Sequence, residues 1–258
     1  MFNAKHLVRL LLAATVTSAV TFHAQAGTEA GAPDPNKLLE QSDMARGGGL
    51  KGVQLNSSVT EIRDGQPGSE LKLQIQAAAT DSLISFTEPP RVRGNRMLMQ
   101  GRNMWFASPD VRKPVAISPR QRMLGEASNG DIATTSYSRD YDAALAGEGT
   151  VDGRPVWVLD LKAKSGSVAY DRIRYFIDKE SALGIKAEYF AVSGNVLKTA
   201  RIEYDNHVRH NGQTVRFVSR MEIADALEPS RRTVLKYWDV KVNDISSSTL
   251  SLANLTRN

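Results

Sequence analysis

From Leu50 onward, apolar and polar residues alternate over short stretches, and this period of two predicts one β-strand after another. VTEIRDGQPGSELKLQIQ (59–76) sets two alternating segments around the turn-rich DGQPGS, the pattern of a hairpin. SLISFTE (82–88), RVRGNRMLMQ (91–100), NMWFASP (103–109) and RKPVAIS (112–118) follow at short intervals. After an interruption come RPVWVLDLKAK, AYDRIRYFIDK, GIKAEYFAV, VLKTARIEYDN, TVRFVSRMEIAD and TVLKYWDVKVND, spanning 154–244. Most connections carry Gly, Asn, Asp or Ser, the residues that tight turns favour. About eleven or twelve strands result, which is one large antiparallel sheet, strongly curved or rolled.

Two segments break the alternation. LLEQSDMARGG (38–48) reads as a short helix with Pro35 near its start, Leu38, Leu39 and Met44 on one stripe, and Gly47–Gly49 as its stop. The stretch 119–147 reads as a loop with weak helix, followed by an N-capped helical turn in which Ser138 precedes RDYDAALAG and Gly147 ends it. A helical insertion between two runs of strands is well placed to cover one face of the sheet.

The amino terminus narrows the compartment. Lys5 and Arg9 precede the apolar run Leu10–Val16 and the small-residue sequence Ala24-Gln25-Ala26. This is the pattern of a secretory signal peptide over 1–26, cleaved near Ala26, and its apolar run is too short for a stable membrane span. GTEAGAPDPN (27–36) follows as a flexible leader, and 37–258 are expected to form a single domain. The chain has no cysteine, so its stability must come from a core, and Gly27 stands where a lipid-anchored export would need a thiol. Loss of Lys5 and Arg9 lowers the net charge from +5 to +3, a mild value that identifies no partner.

Catalytic chemistry is sparse. Of the four histidines only His207 and His210 follow the expected cleavage point, and two such ligands do not make a zinc site. Nucleophile elbow, Ser-x-x-Lys, phosphate-loop and dinucleotide signatures are missing, so no cofactor and no metal are expected. Asp140 and Asp142 read as solvated acids near a helix start. The distinctive stretch is MLMQGRNMWFAS (97–108). Met97, Met99, Met104, Trp105 and Phe106 are by default core, but methionine also adapts to irregular apolar ligands. Around them, residues 91–122 carry eight basic side chains, among them Arg91, Arg93, Arg96 and Arg102, against Asp110 alone. This is either a solvated strand face or a flank for an anionic headgroup or acidic partner, with nucleic acid excluded by export.

The succession of LLEQSDMARGG, RVRGNRMLMQGRNMWFASPDVRKPVAISPRQRMLGEASNGDI, SRDYDAALAGEGTVDGRPVWVLDLKA, RYFIDK and AEYFAVSGNVLKTARIEYDN resembles the outer-membrane lipoprotein-sorting proteins of the LolA-like superfamily. The resemblance covers nearly the whole chain after the leader. It implies a mainly β fold, a curved antiparallel half-barrel of about 11 strands with helices covering the concave face. Acyl chains of a lipid or lipoprotein would lie between sheet and helices. By position and residue type, Met97, Met99, Met104, Trp105 and Phe106 would help form the wall, and Leu124, Ile132, Tyr137 and Tyr141 the lid. The implied role is a periplasmic, non-enzymatic carrier towards the outer membrane, between an inner-membrane exporter and an outer-membrane acceptor. Two rivals remain: an adaptor module of an RND-type envelope exporter, docking through the basic flank, and an enzyme acting on an envelope glycolipid.

Overall fold

A computed structural model describes residues 32–134 and 136–255; the expected signal peptide and residues 27–31 of the leader lie outside the described residues. The described elements begin with helix α1 (Pro35–Met44). The Asp34 side chain accepts from the amides of Asn36 and Lys37, Pro35 opens the first turn, and Gly47, at φ 102°, follows its end. Its inward residues are Leu39, Ser42 and Asp43, whereas Met44 is 46% exposed. Helical periodicity groups 39, 42, 43 and 46. The inner face of α1 is therefore largely polar, not the Leu38–Leu39–Met44 stripe.

Strands β1 (Val53–Arg63), β2 (Gln66–Ala78), β3 (Asp81–Glu88), β4 (Arg96–Gln100), β5 (Asn103–Ala107) and β6 (Val115–Ile117) form an antiparallel meander. A small ribbon of β7 (Arg122–Leu124) and β8 (Ala127–Ser128) leads into helices α2 (Asn129–Ala133) and α3 (Tyr137–Asp140). A second meander follows, of β9 (Tyr141–Val151), β10 (Arg154–Ala163), β11 (Arg172–Asp178), β12 (Gly184–Phe190) and β13 (Val196–Glu203). The hairpin of β14 (Asn206–His210) and β15 (Gln213–Phe217) stands apart from the main sheet. Then β16 (Arg220–Asp225) pairs with β13, and β17 (Arg231–Val242) joins the halves by pairing with both β16 and β1. The result is one curved 13-stranded sheet running from β6 to β9, open at both edges rather than closed into a barrel, with α4 (Leu252–Leu255) near the chain's end.

Three sequence expectations change. The main sheet has 13 strands rather than about 11. DAALAG is not helical: Leu145 stands opposite Leu159 and Ala143 opposite Leu161 in the β9–β10 ladder. Its alanines are good helix formers, but Tyr141, Ala143 and Leu145 alternate, and pairing overrides propensity. TVRFVSRMEIAD is two strands, split at Val218–Ser219, because the first pairs in the separate hairpin and the second in the main sheet.

Alternation sorts the core. Val53, Leu55, Leu73, Ile75, Ile84, Met97, Met99 and Met104 join Leu39 of α1 and Ile132 of α2 in one cluster on the helix-covered inner face. Leu83, Leu98 and Trp105 point the other way, towards Leu250 and Leu255.

A candidate binding interior beneath a helical roof

The inner face has two chemical halves. On β1–β5 it is aliphatic and thioether, with Val59, Leu71, Phe86 and the three methionines buried. On β11–β13 and their neighbours it carries phenols, and all seven tyrosines of the chain belong to the same cluster. Tyr170 stacks on Tyr189 at 4.1 Å between ring centroids, and Tyr137 meets Tyr141 and Tyr175 edge to face at 5.7 and 5.4 Å. Burial pushes the phenols of Tyr170, Tyr189 and Tyr204 well above their usual range, so they remain neutral hydroxyls.

Roof and floor are joined by the apolar packing of Leu39, Ile132, Ala133 and Tyr137 and by a set of polar contacts. A capping box starts α2: Ser128 Oγ accepts from the Asp131 amide, and Asp131 Oδ2 accepts from the Ser128 amide. Tyr170 Oη also donates to Asp131, at 2.9 Å. Ser82 Oγ of β3 donates to the Ala133 carbonyl at 3.0 Å, tying α2 to the sheet. Asp43 of α1 accepts the Tyr137 amide at 2.9 Å, the Ser138 amide at 2.8 Å and Ser136 Oγ at 3.0 Å, tying α1 to α3. Burial raises the Asp43 pKa, and these amide bonds oppose that shift only in part. Ser42 Oγ accepts the Gly184 amide at 3.0 Å and lies 3.2 Å from Tyr175 Oη. A side chain at Gly184 has no room: its Cβ would fall 1.9 Å from Tyr175 Oη.

The interior is nearly filled. Beneath α2 remains a cavity of about 30 Å³, bounded by Val53, Leu55, Ile75, Ile132, Met221 and Arg46. That is about one water's share of liquid volume. Outside the roof, two grooves of about 500 and 520 Å³ flank α1 and meet at Gln41 and Met44.

Met97, Met99 and Met104 lie buried on the inner face, and Phe106 packs edge to face on Phe86 at 6.2 Å. Trp105 does not join them, because its position in β5 points to the opposite face. Ile132 and Tyr137 belong to the roof, and half-buried Leu124 of β7 packs against the same cluster. Tyr141 opens β9 instead of a roof helix and donates to the Tyr170 carbonyl at 3.0 Å. The arginines disperse. Arg91 and Arg93 are exposed, Arg96 donates to the Asn254 carbonyl at 3.1 Å, and Arg102 reaches Asp140 at 3.2 Å. Asp140 is thus buried between Arg102 and Arg139 rather than solvated.

Pattern reading missed Ser42, Asp43, Arg46 and Asp131. The signal for the first three was the 39, 42, 43, 46 spacing in LLEQSDMARGG, which places polar groups on the buried stripe. Among the described residues no group of three or more His, Cys, Asp or Glu could hold a metal ion, and no helix is long and apolar enough to cross a membrane.

A family model described as an uncharacterized protein matches residues 78–257. The chain matches none of the curated proteins. Among solved structures it is similar to a LolA superfamily protein from Nitrosomonas europaea, at 29% identity and a TM-score of 0.76, over 85% of this chain and 98% of that one. It is also similar to a putative outer membrane lipoprotein-sorting protein domain from Vibrio parahaemolyticus, at 16% identity and TM-score 0.71, over 86% and 98%. A DUF1329 family protein from Desulfovibrio piger shares the fold at 21% identity and TM-score 0.69, over 86% and 100%.

Proposed function

This chain is a LolA-like protein, and from that premise we propose that it is a periplasmic, non-enzymatic carrier. It takes acyl chains of a lipid or lipoprotein between its sheet and its helical roof and passes them towards the outer membrane. The observation that carries this reading is the apolar inner face roofed by short helices that are held by a handful of polar bonds. Each such bond contributes about 1 kcal/mol net, while each acyl methylene taken out of water gains about 0.8 kcal/mol. Half a dozen methylenes therefore offset those polar bonds, and further methylenes cover the apolar surface that Ile132, Ala133 and Tyr137 give up. The similarity to a LolA superfamily protein, and the fold shared with one putative lipoprotein-sorting domain, support the cargo class. The Lys5–Ala26 pattern supports the compartment.

Exposed Arg91, Arg93, Arg112 and Lys113 favour a second, compatible role for the basic flank: docking on an acidic surface of an inner-membrane exporter or outer-membrane acceptor. The carrier reading is tested by isolating the protein from its native envelope under mild conditions and weighing it intact. A discrete added mass that extracts as lipid is expected. A clean protein mass that stays unchanged after incubation with envelope lipids overturns the reading.

A further inference from the structure

Arg46 follows α1 and reaches under the roof, where its side chain lines the 30 Å³ cavity. The residue is only 9% exposed. Its guanidinium lies 4.4 Å from the Tyr137 ring centroid, and Nη2 donates one long bond of 3.4 Å to the Thr134 carbonyl. Nη1 is buried with no hydrogen-bond partner. A guanidinium carries five donors and stays charged at every accessible pH; one ring, one carbonyl and the charge of nearby Asp43 face it, and Nη1 keeps an open donor. A buried donor without a partner costs free energy that an incoming acceptor recovers.

The oxygens of the interior carboxylates are hydrogen-bonded to other donors, although the Asp43 charge acts on Arg46. Asp43 accepts from Ser136, Tyr137 and Ser138, and Asp131, which shares the cavity wall with Arg46, accepts from Ser128 and Tyr170. The other walls of the cavity are mainly apolar, with Val53, Leu55, Ile75 and Ile132 leading towards the aliphatic half of the sheet. A cation with an open donor, set at the head of an apolar track, suits a ligand that is negative at one end and hydrocarbon along its length.

We propose that Arg46 is an interior anchor for the anionic oxygen of an acyl amphiphile, either a fatty carboxylate or a lipid phosphate, with the hydrocarbon lying over β1–β4. The proposal rests on the acyl-carrier reading and narrows it to charged lipids, against neutral acylglycerol groups. Displacement of α2 enlarges the cavity beside Nη1, and the incoming oxygen takes the open donor. The bond is charge-assisted and shielded from water, so it adds selectivity between ligands whose chains are identical.

The test uses the delipidated full chain and two matched pairs: palmitate against methyl palmitate, and dipalmitoylphosphatidylglycerol against dipalmitoylglycerol, each titrated by native mass spectrometry. The wild type is expected to favour the anionic member of at least one pair by about tenfold or more, the scale of a hydrogen bond to a charged group. Preference confined to the first pair assigns a carboxylate, and to the second a phosphate. Arg46→Met and Arg46→Gln, each checked for folding by circular dichroism, are expected to bring that ratio to about one. Wild-type ratios near one in both pairs overturn the anchor, as does a folded variant that keeps the preference. If neither variant folds, the wild-type ratios decide. Failure of every ligand, neutral and anionic alike, removes the acyl-carrier reading itself, so the two claims fail separately.

Discussion

Asp43 shows how one buried side chain sets the working properties of the roof. Three donors converge on its carboxylate, yet its pKa is raised, because burial outweighs them. The folded state therefore binds a proton that the unfolded chain has already lost, and stability from this group falls as pH rises above the ordinary carboxylate value of 3.8 towards the raised one. The expected outcome is that the unfolding free energy of the wild type, minus that of Asp43→Asn, shrinks as pH rises through this window. A difference that is flat with pH, followed by denaturant titration, contradicts the assignment. Gly184 is a steric counterpart. Its amide binds Ser42, its carbonyl accepts Tyr204 Oη at 2.7 Å, and a Cβ there would strike Tyr175. Gly184→Ala is predicted to destabilise by about 1–3 kcal/mol through overpacking, seen as a lower thermal midpoint. An unchanged midpoint would mean that Tyr175 moves freely, and that the joint between α1 and the sheet is looser than its contacts indicate.

Element by element, alternation was a good guide wherever a strand has one buried face. Strands β1 and β2 were legible because polar residues interrupt the apolar ones about every second position, and β4 and β5 because short apolar runs flank the turn residues Gly101–Arg102. Legibility failed where pairing, not composition, decided the state. The alanines of β9 read as helix, and the 12-residue TVRFVSRMEIAD concealed a change from one sheet to another. The Met-rich stretch was legible as apolar, but its register was not, since a shift of one residue exchanges faces. Met97, Met99 and Met104 face the roof, while Leu98 and Trp105 face Leu250 and Leu255. A division of effect follows. Leu98→Ala removes a side chain fully buried on the outer side and is expected to cost about 2–5 kcal/mol of stability without altering acyl affinity. Acyl affinity falling in step with stability, measured on the same samples, would show that the two faces are not independent.

At the scale of the molecule, the sheet explains why short helices suffice as a roof. β17 joins two meanders through β1 and β16, so the floor is continuous across 13 strands and does not depend on the helices for its hydrogen bonds. α2 and α3, of five and four residues, add no strand to that floor, so in the carrier reading they can move as a cover. The sequence announced an apolar wall and a helical interruption. It did not announce that the space beside Arg46 beneath α2 is only about 30 Å³, because the packing there depends on the polar joint built from α1, β3 and the segment around α3, which are far apart in the chain.

The central claim is that acyl chains enter only when α2 leaves the sheet. Ser82 Oγ and the Ala133 carbonyl stand 3.0 Å apart across that joint, and the chain has no cysteine of its own. In the double variant Ser82→Cys/Ala133→Cys the only thiols lie one on the floor and one on the roof, so a bond between them, confirmed by mass, pins α2 to β3. Uptake of a fluorescent fatty acyl probe, measured on this variant before and after reduction, is the decisive measurement. The account predicts no uptake when the pair is oxidised and wild-type uptake once it is reduced. Equal uptake in both states, with the disulfide confirmed by mass, would place the acyl chain outside the roofed interior and contradict the mechanism.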